Sequence, residues 1–458
     1  MKTNCSVWCA CLTIFLFSCK KDFVQTEDRV VSADAQGNAV TASGYKFKPN
    51  EVLVKFKDGL QQDARNQVMG IVSAKVSRHL LSEAMQRFGD HEGVYVFHVP
   101  GDVLTAVQKL KGLKELVYAE PNYIYQHEAV SNDLYFTNGS LWGMYGDASS
   151  PANQYGSQAA EAWANNHTGN ARVVVGVIDE GAMYTHEDLV NNYRPNPFDP
   201  VDGVDNDGNG YIDDFHGWDF FEQNNSTYDG TGDDHGTHVS GTIGAKGGNN
   251  KGVAGMCWNV TLFSAKFLGP NGGTTEDAIL SVDYMTDLKL RHNLRLVALN
   301  NSWGGGGYSQ GLRDAIARAD SANILFVAAA GNYTQNTDVT PFYPGSYDNP
   351  NVITVASITK TGTISSFSNY GANNVDIGAP GSGVYSTVPG TGNTSKYASY
   401  DGTSMATPHV TGAAALYAAT HPTANAATIK SAILSSAIPT PSLAGKCLTG
   451  GRLNASGF

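Results

Sequence analysis

Beyond Arg172 the chain repeats one device: a short, uninterrupted apolar run followed by a more polar stretch. The runs are "RVVVGVID", "VTLFSAKFL", "LRLVALNNS", "NILFVAAAGN", "NVITVASI" and "VDIGAPG", and between some of them "EDAILSVDYMTDL" and "GLRDAIARADS" have helical spacing. A strand with one wet face alternates apolar and polar residues, so a run that is apolar throughout must be covered on both faces. Alternation with helices then dictates a mainly parallel sheet between two helical layers, a three-layer α/β/α domain. Chemistry in such sheets gathers at the carboxyl ends of the strands. Three of these ends carry polar residues, Asp179, Ser302 and Asn332.

Residues 45–128 follow a different pattern. "EVLVKFK" alternates, "LQQDARNQVMGIV" has helical spacing, and after a less regular stretch "GVYVFHV" alternates again. "DVLTAVQKLKGL" is helical, and "ELVYAEPNYIYQ" closes as a strand. The order βαββαβ over about 80 residues predicts a small ferredoxin-like α+β module. Residues 20–44, polar and small, read as a tether, and the Gly/Asn/Ser-rich stretch 129–170 is expected to contain a linker.

The chain starts "MKTNCSVWCACLTIFLFSCKKD". Its apolar run from Val7 to Phe17 is too short to span a bilayer as a helix and fits the core of a signal peptide. Leu16-Phe17-Ser18-Cys19 resembles the lipobox of bacterial lipoproteins, which makes residues 1–19 the signal and Cys19 the lipidated residue. Phe17 is not the usual small residue at its position, so ordinary secretory cleavage stays open. The expectation is export from a bacterial cell, either anchored to a membrane through a lipid or secreted.

Charged residues are 16% of the chain, against about 25% in a typical soluble domain. The net charge of −12 offers no basic face to displace counterions from phosphates, which argues against a nucleic-acid partner. Outside the signal only Cys257 and Cys447 remain, and sequence leaves open whether they pair. No CxxC pair points to zinc, and no organic cofactor is expected.

Asp179 ends "VVVGVID", His235 opens "HGTHVSGTIGA" and Ser404 lies in "DGTSMATPHVTGAAALYAAT" at a loop-to-helix junction. A serine hydroxyl is a poor nucleophile until a base takes its proton, and the base needs an acid to fix its tautomer and stabilise the imidazolium. Taken singly, each residue has a bland reading as cap, loop residue or turn former. Four long blocks remove that reading: "VVVGVIDEG…HEDL", "HGTHVSGT", "VAAAGN" and "GTSMATPHVTGAAAL" resemble the signature blocks of subtilisin-like serine proteases, in that family's Asp–His–Ser order. The resemblance runs from about residue 130 to the end, where "GGRLNA" also fits.

The resemblance implies a serine endopeptidase domain over 129–458. Asp179 would orient the base, His235 would act as base then acid, and Ser404 would attack the peptide carbonyl. Asn332 would donate its amide to the oxyanion, with the backbone N–H of Ser404 as second donor. Glu180 departs from the family, which usually has Ser or Thr there. "NNSWGGGG" resembles the segment that pairs with substrate, so Ser302, Trp303, Gly304 and Gly305 are expected to bind polypeptide. Its small, uncharged walls predict a preference for apolar or aromatic side chains. Residues 45–128 resemble a subtilase propeptide, which implies an intramolecular inhibitor and chaperone removed by self-cleavage within 126–134, leaving a monomer. His238, without an HExxH context, reads as structural. An α/β-hydrolase esterase would need G-x-S-x-G, absent around Ser404, and a binding protein without activity would not need every catalytic position filled.

Between Asp179 and His235 lies "FDPVDGVDNDGNGYIDDFHGWDF", residues 198–220. Its acidic run opens like an EF-hand, but the twelfth position is His216, and Pro195, Pro197, Pro200 and Gly217 flank it instead of helices. The oxygen ligands remain, and a structural Ca2+ held by Asp205, Asp207, Asn209, Tyr211 (through its carbonyl), Asp213 and Asp214 is expected. The family resemblance adds a second calcium site at Asp188 and Asn249.

Overall fold

The structure is a computed structural model that describes residues 30–33, 39–41, 46–124 and 131–458. The expected signal, Cys19 and much of the tether lie outside these residues. The chain forms two compact units that divide between Gln126 and His127.

The first unit contains β1 (Lys46–Phe56), α1 (Gln62–Ile71), β2 (Lys75–Leu80), β3 (Val94–His98), α2 (Val103–Leu110) and β4 (Leu116–Tyr123). The strands pair antiparallel in the order β4-β1-β3-β2, the ferredoxin-like arrangement expected. Alternate residues of β1 (Val52, Val54, Phe56) join Val68 of α1 and Val103, Ala106 and Leu110 of α2 in one core. The strand hidden in the less regular stretch is β2, an edge strand with all its residues exposed, which therefore carries no apolar alternation. A hairpin of Val30–Ala33 and Ala39–Thr41 lies inside the expected tether and extends the sheet from the start of β1.

In the second unit the main sheet takes β5 (Gly169–Asp179), β6 (Gly217–Asp219), β7 (Asn259–Lys266), β8 (Arg295–Asn301), β9 (Leu325–Ala329), β10 (Val352–Ile358) and β11 (Ile377–Pro380). They run parallel in the order β6-β7-β5-β8-β9-β10-β11, and Gly451–Arg452 and Ile438–Pro439 follow at the far edge. Both faces are buried, as the continuous apolar runs require. Val173, Val175 and Val177 of β5 face a core that includes α3 (Asp234–Gly244) and α6 (Thr403–Thr420). Val174 and Ile178 face the opposite core, with α4 (Thr275–His292) and α5 (Gln310–Ser321). A hairpin of β12 (Val384–Gly390) and β13 (Thr394–Tyr400) packs on α3 and leads into α6.

The stretch expected to hold a linker is integral to this unit from Ser131 on. Phe136, Leu141, Trp142, Tyr145 and Trp163 are buried in the core, and the Trp142 indole donates to the carbonyls of Ser382 and Gly383, each at 3.1 Å. Small polar residues there form tight turns between buried aromatics. Cys257 and Cys447 are both free and buried in different cores. Among the described residues, no helix is long and apolar enough to cross a membrane.

Candidate active site

The buried strand β5 delivers Asp179 to the carboxyl edge of the sheet, where it is 1% exposed. Its Oδ1 accepts from the Glu180 N–H and from Nδ1–H of His235, each at 2.9 Å. Donation from Nδ1 fixes the tautomer that leaves Nε2 able to take a proton. His235 lies in the first turn of α3, where backbone N–H groups lack helical partners. Glu180 meets one of them, its Oε1 accepting the His235 N–H at 2.6 Å. Burial, and then the charge of Asp179, raise the Glu180 pKa to about 7. Burial alone would pull His235 down, but the charge and hydrogen bond of Asp179, with Glu180 and Asp234 behind them, raise it above the usual histidine value.

Ser404 stands in the first turn of α6, its hydroxyl donating to the Ser302 carbonyl at 2.9 Å. The Ser302 hydroxyl donates in turn to the Ser404 carbonyl (2.8 Å) and accepts from the Asn300 amide (2.9 Å), whose Oδ1 accepts from the Thr411 hydroxyl. This buried chain pins the start of α6 to the end of β8. Ser302 and Trp303 therefore turn their side chains inward; the Trp303 ring packs on Phe267, with ring centroids 4.8 Å apart. Main chain, together with exposed Gly304 and Gly305, is what this segment can offer a peptide.

Two residues the sequence reading did not single out shape the place where an oxyanion would sit. Asn332 Oδ1 accepts both the N–H and the hydroxyl of Thr403, each at 2.9 Å, so its Nδ2 is the end left to donate outward. A Cβ on Gly402 would lie 3.5 Å from Ser404 N and 3.6 Å from Asn332 Nδ2. Glycine keeps the space between those two donors clear. His235, Asn332 and Ser404 line one open cavity of about 490 Å³ with Ser399, Tyr400, Asp401 and Met405. His238 is structural: its Nε2 lies 3.0 Å from the Val384 carbonyl and its ring stacks on Tyr400, tying α3 to the hairpin. Burial lowers its pKa to about 3, which keeps it neutral.

The expected calcium ligands divide into groups. In the acidic loop, Asp205 accepts the N–H groups of Gly208, Asn209 and Gly210. Asp207 meets His292 at 2.8 Å, and Asp213 accepts the N–H groups of Asp202 and Gly203. Asp214 accepts from Asn196, Asn209 and Tyr284, while the Tyr211 ring packs on Trp218 and Tyr284. Among the described residues, no three of these carboxylates bring oxygens within 4.8 Å of one another. Asp188 and Asn249 do meet, the amide donating to Asp188 Oδ1 at 2.9 Å. The three-carboxylate cluster that does form is Asp219, Glu222 and Asp229, which the sequence reading missed. Asp219 is fully buried and its Oδ2 has no partner among the described residues, an arrangement suited to a hard cation.

Residues 170–456 match the subtilase family, and residues 33–122 match the fervidolysin N-terminal prodomain. A thermophilic serine proteinase of Bacillus sp. strain AK1 is 32% identical over 373 residues, covering 81% of this chain and 78% of that protein. An extracellular basic protease of Dichelobacter nodosus is 29% identical over 433 residues, covering 85% and 66% respectively. A protease structure from Pseudoalteromonas arctica superposes with a TM-score of 0.55 at 29% identity, covering 71% of this chain and 98% of that one. With family, fold and site in agreement, the chain belongs to the subtilases: it is a subtilisin-like serine protease preceded by a prodomain.

Proposed function

We propose that the protein is an exported, self-processing endopeptidase that works through an acyl-enzyme on Ser404. One observation carries the reading: an imidazole held by a buried carboxylate, a serine and an oriented side-chain amide line a single cavity. The Ser404 hydroxyl leaves the Ser302 carbonyl by rotation and gives its proton to His235 Nε2 as Oγ bonds to the substrate carbonyl carbon. The resulting oxyanion is held by the Ser404 N–H and Asn332 Nδ2, a contribution of about 3–4 kcal/mol per side-chain donor, a magnitude carried over from subtilisin. The imidazolium then protonates the departing nitrogen, the C–N bond breaks, and water resolves the ester by the reverse path.

Self-cleavage within 126–134 frees the peptidase unit from the prodomain that inhibits it. If Cys19 carries lipid, the anchor stays with the prodomain and maturation releases the protease from the membrane. Structural calcium is part of the reading, with Asp219, Glu222 and Asp229 the best-supported site, and the 205–214 loop and the Asp188–Asn249 pair the others. Ser404→Ala tests the whole. The wild type should label with a fluorophosphonate, digest casein and shed its N-terminal unit, whereas the variant does none of these and stays full length in the membrane fraction. Labelling that persists in Ser404→Ala rejects Ser404 as nucleophile, and labelling of the wild type without casein digestion favours an esterase.

A further inference from the structure

The donors at the active site define two sides. His235 must protonate the departing nitrogen, so the leaving half of a peptide lies on its side, toward the cavity lined by Ser399, Tyr400, Asp401 and Met405. The acyl half must lie on the other side of Ser404 and Asn332. There the chain supplies Gly331, next to Asn332, and Gly304, two residues beyond the carbonyl that holds the Ser404 hydroxyl. The side chain of the residue whose carbonyl is attacked has to pass between them.

That passage already holds a ring. A Cβ on Gly304 would lie 2.8 Å from Cζ of Phe342 and closer still to its Cε1. One on Gly331 would lie 3.0 Å from Phe342 Cδ1 and Cε1, and one on Gly305 3.8 Å from Cε2. Three glycines from two segments thus converge on one half-buried phenylalanine. Its backbone is tied locally, the Phe342 N–H donating to the Ser346 hydroxyl and its carbonyl accepting the Ser346 N–H, each at 2.9 Å. On the solvent side the Tyr333 ring stands 5.8 Å away, centroid to centroid. Interiors packed at close density do not admit a second ring beside the first.

We infer that Phe342 is the specificity-determining residue on the acyl side, filling the slot between Gly304 and Gly331, so that this protease cleaves after residues with small side chains, glycine, alanine or serine. The inference rests on the proposed acyl-enzyme at Ser404, and it replaces the apolar or aromatic preference expected from the glycine-rich walls alone. The leaving side, open and polar, imposes no comparable limit.

The test uses the full-length chain after it has processed itself, with a matched series of peptides that differ only at the residue before the scissile bond. Active enzyme is counted by fluorophosphonate titration. The wild type should favour alanine over phenylalanine by about tenfold or more in kcat/KM. Phe342→Ala should reverse that order, and Phe342→Leu, a milder change at the same depth, should fall between them. A wild type that prefers phenylalanine or leucine overturns the inference, as does an unchanged alanine-to-phenylalanine ratio in a variant that still titrates. Failure of the wild type to cleave any peptide strikes the proposed function instead, so the two failures are distinguishable.

Discussion

Asp179 and Asp219 occupy the same row of the sheet: both pair with Lys266 of the strand between them. Their local hydrogen bonding is also alike. Each is buried, each uses Oδ1 to accept two N–H donors, and each leaves Oδ2 without a partner among the described residues. One difference separates them. A donor to Asp179 is the imidazole of His235, whereas both donors to Asp219 are the backbone N–H groups of the turn that follows it, Phe221 and Glu222. Burial raises the Asp219 carboxyl to about 6, with the nearby Lys266 charge only a partial remedy. A buried strand-end carboxylate becomes catalytic through the ring it orients; without one it is a charge seeking a cation.

The largest expected effect breaks the first half of that comparison. Asp179→Asn keeps the shape and removes the charge and the tautomer control, so kcat should fall by about 10⁴-fold with the fold intact by circular dichroism. The matching Asp219→Asn should leave kcat within about twofold, since it orients no reacting group. A loss in Asp219→Asn as deep as in Asp179→Asn would mean that the two carboxylates form one functional unit through Lys266. Calcium separates them further. EGTA should lower the melting temperature of the wild type by several degrees, on the order of 2–3 kcal/mol of lost binding. It should do much less to Asp219→Asn. A full EGTA response in Asp219→Asn that disappears in Asp205→Asn would move the calcium to the 205–214 loop.

What sequence could and could not reveal follows from the same physics. The parallel sheet was legible because burial on both faces leaves no polar residue in a strand, and the triad because each member sits in a long run of constrained small residues. The exposed strand Lys75–Leu80 gave no signal because an edge strand with two wet faces has no period to detect. The acidic run at 205–214 drew attention as a ligand set, yet its carboxylates mostly satisfy the N–H groups of their own turns, which is what Asp does in Gly-rich loops. Asp219, Glu222 and Asp229 went unnoticed because an irregular turn, not a regular spacing, brings their oxygens together. Phe342 was silent for a related reason: its ring meets Gly304 across a long stretch of intervening chain, and depth of a pocket is not written in its walls.

The smallest effect sharpens the catalytic half. Glu180 holds the His235 N–H through Oε1 and lies beside Asp179, so its charge helps keep the imidazolium protonated. The base must be neutral in the free enzyme, so kcat/KM rises with pH through a His235 pKa that stands above the ordinary histidine value. Gln at position 180 keeps an oxygen for the helix N-terminus and removes the negative charge. Loss of a negative neighbour makes protonation of His235 less favourable, which lowers its pKa, and the acid limb of Glu180→Gln should therefore move toward lower pH. Because Glu180 itself loses its charge as pH falls through about 7, the two profiles should differ most above that value and run closer together below it. An acid limb that does not move would leave Glu180 as a helix cap alone. A limb that moves to higher pH would mean that the carboxylate accepts a proton on the path from Ser404, and that the enzyme works with a fourth titrating group.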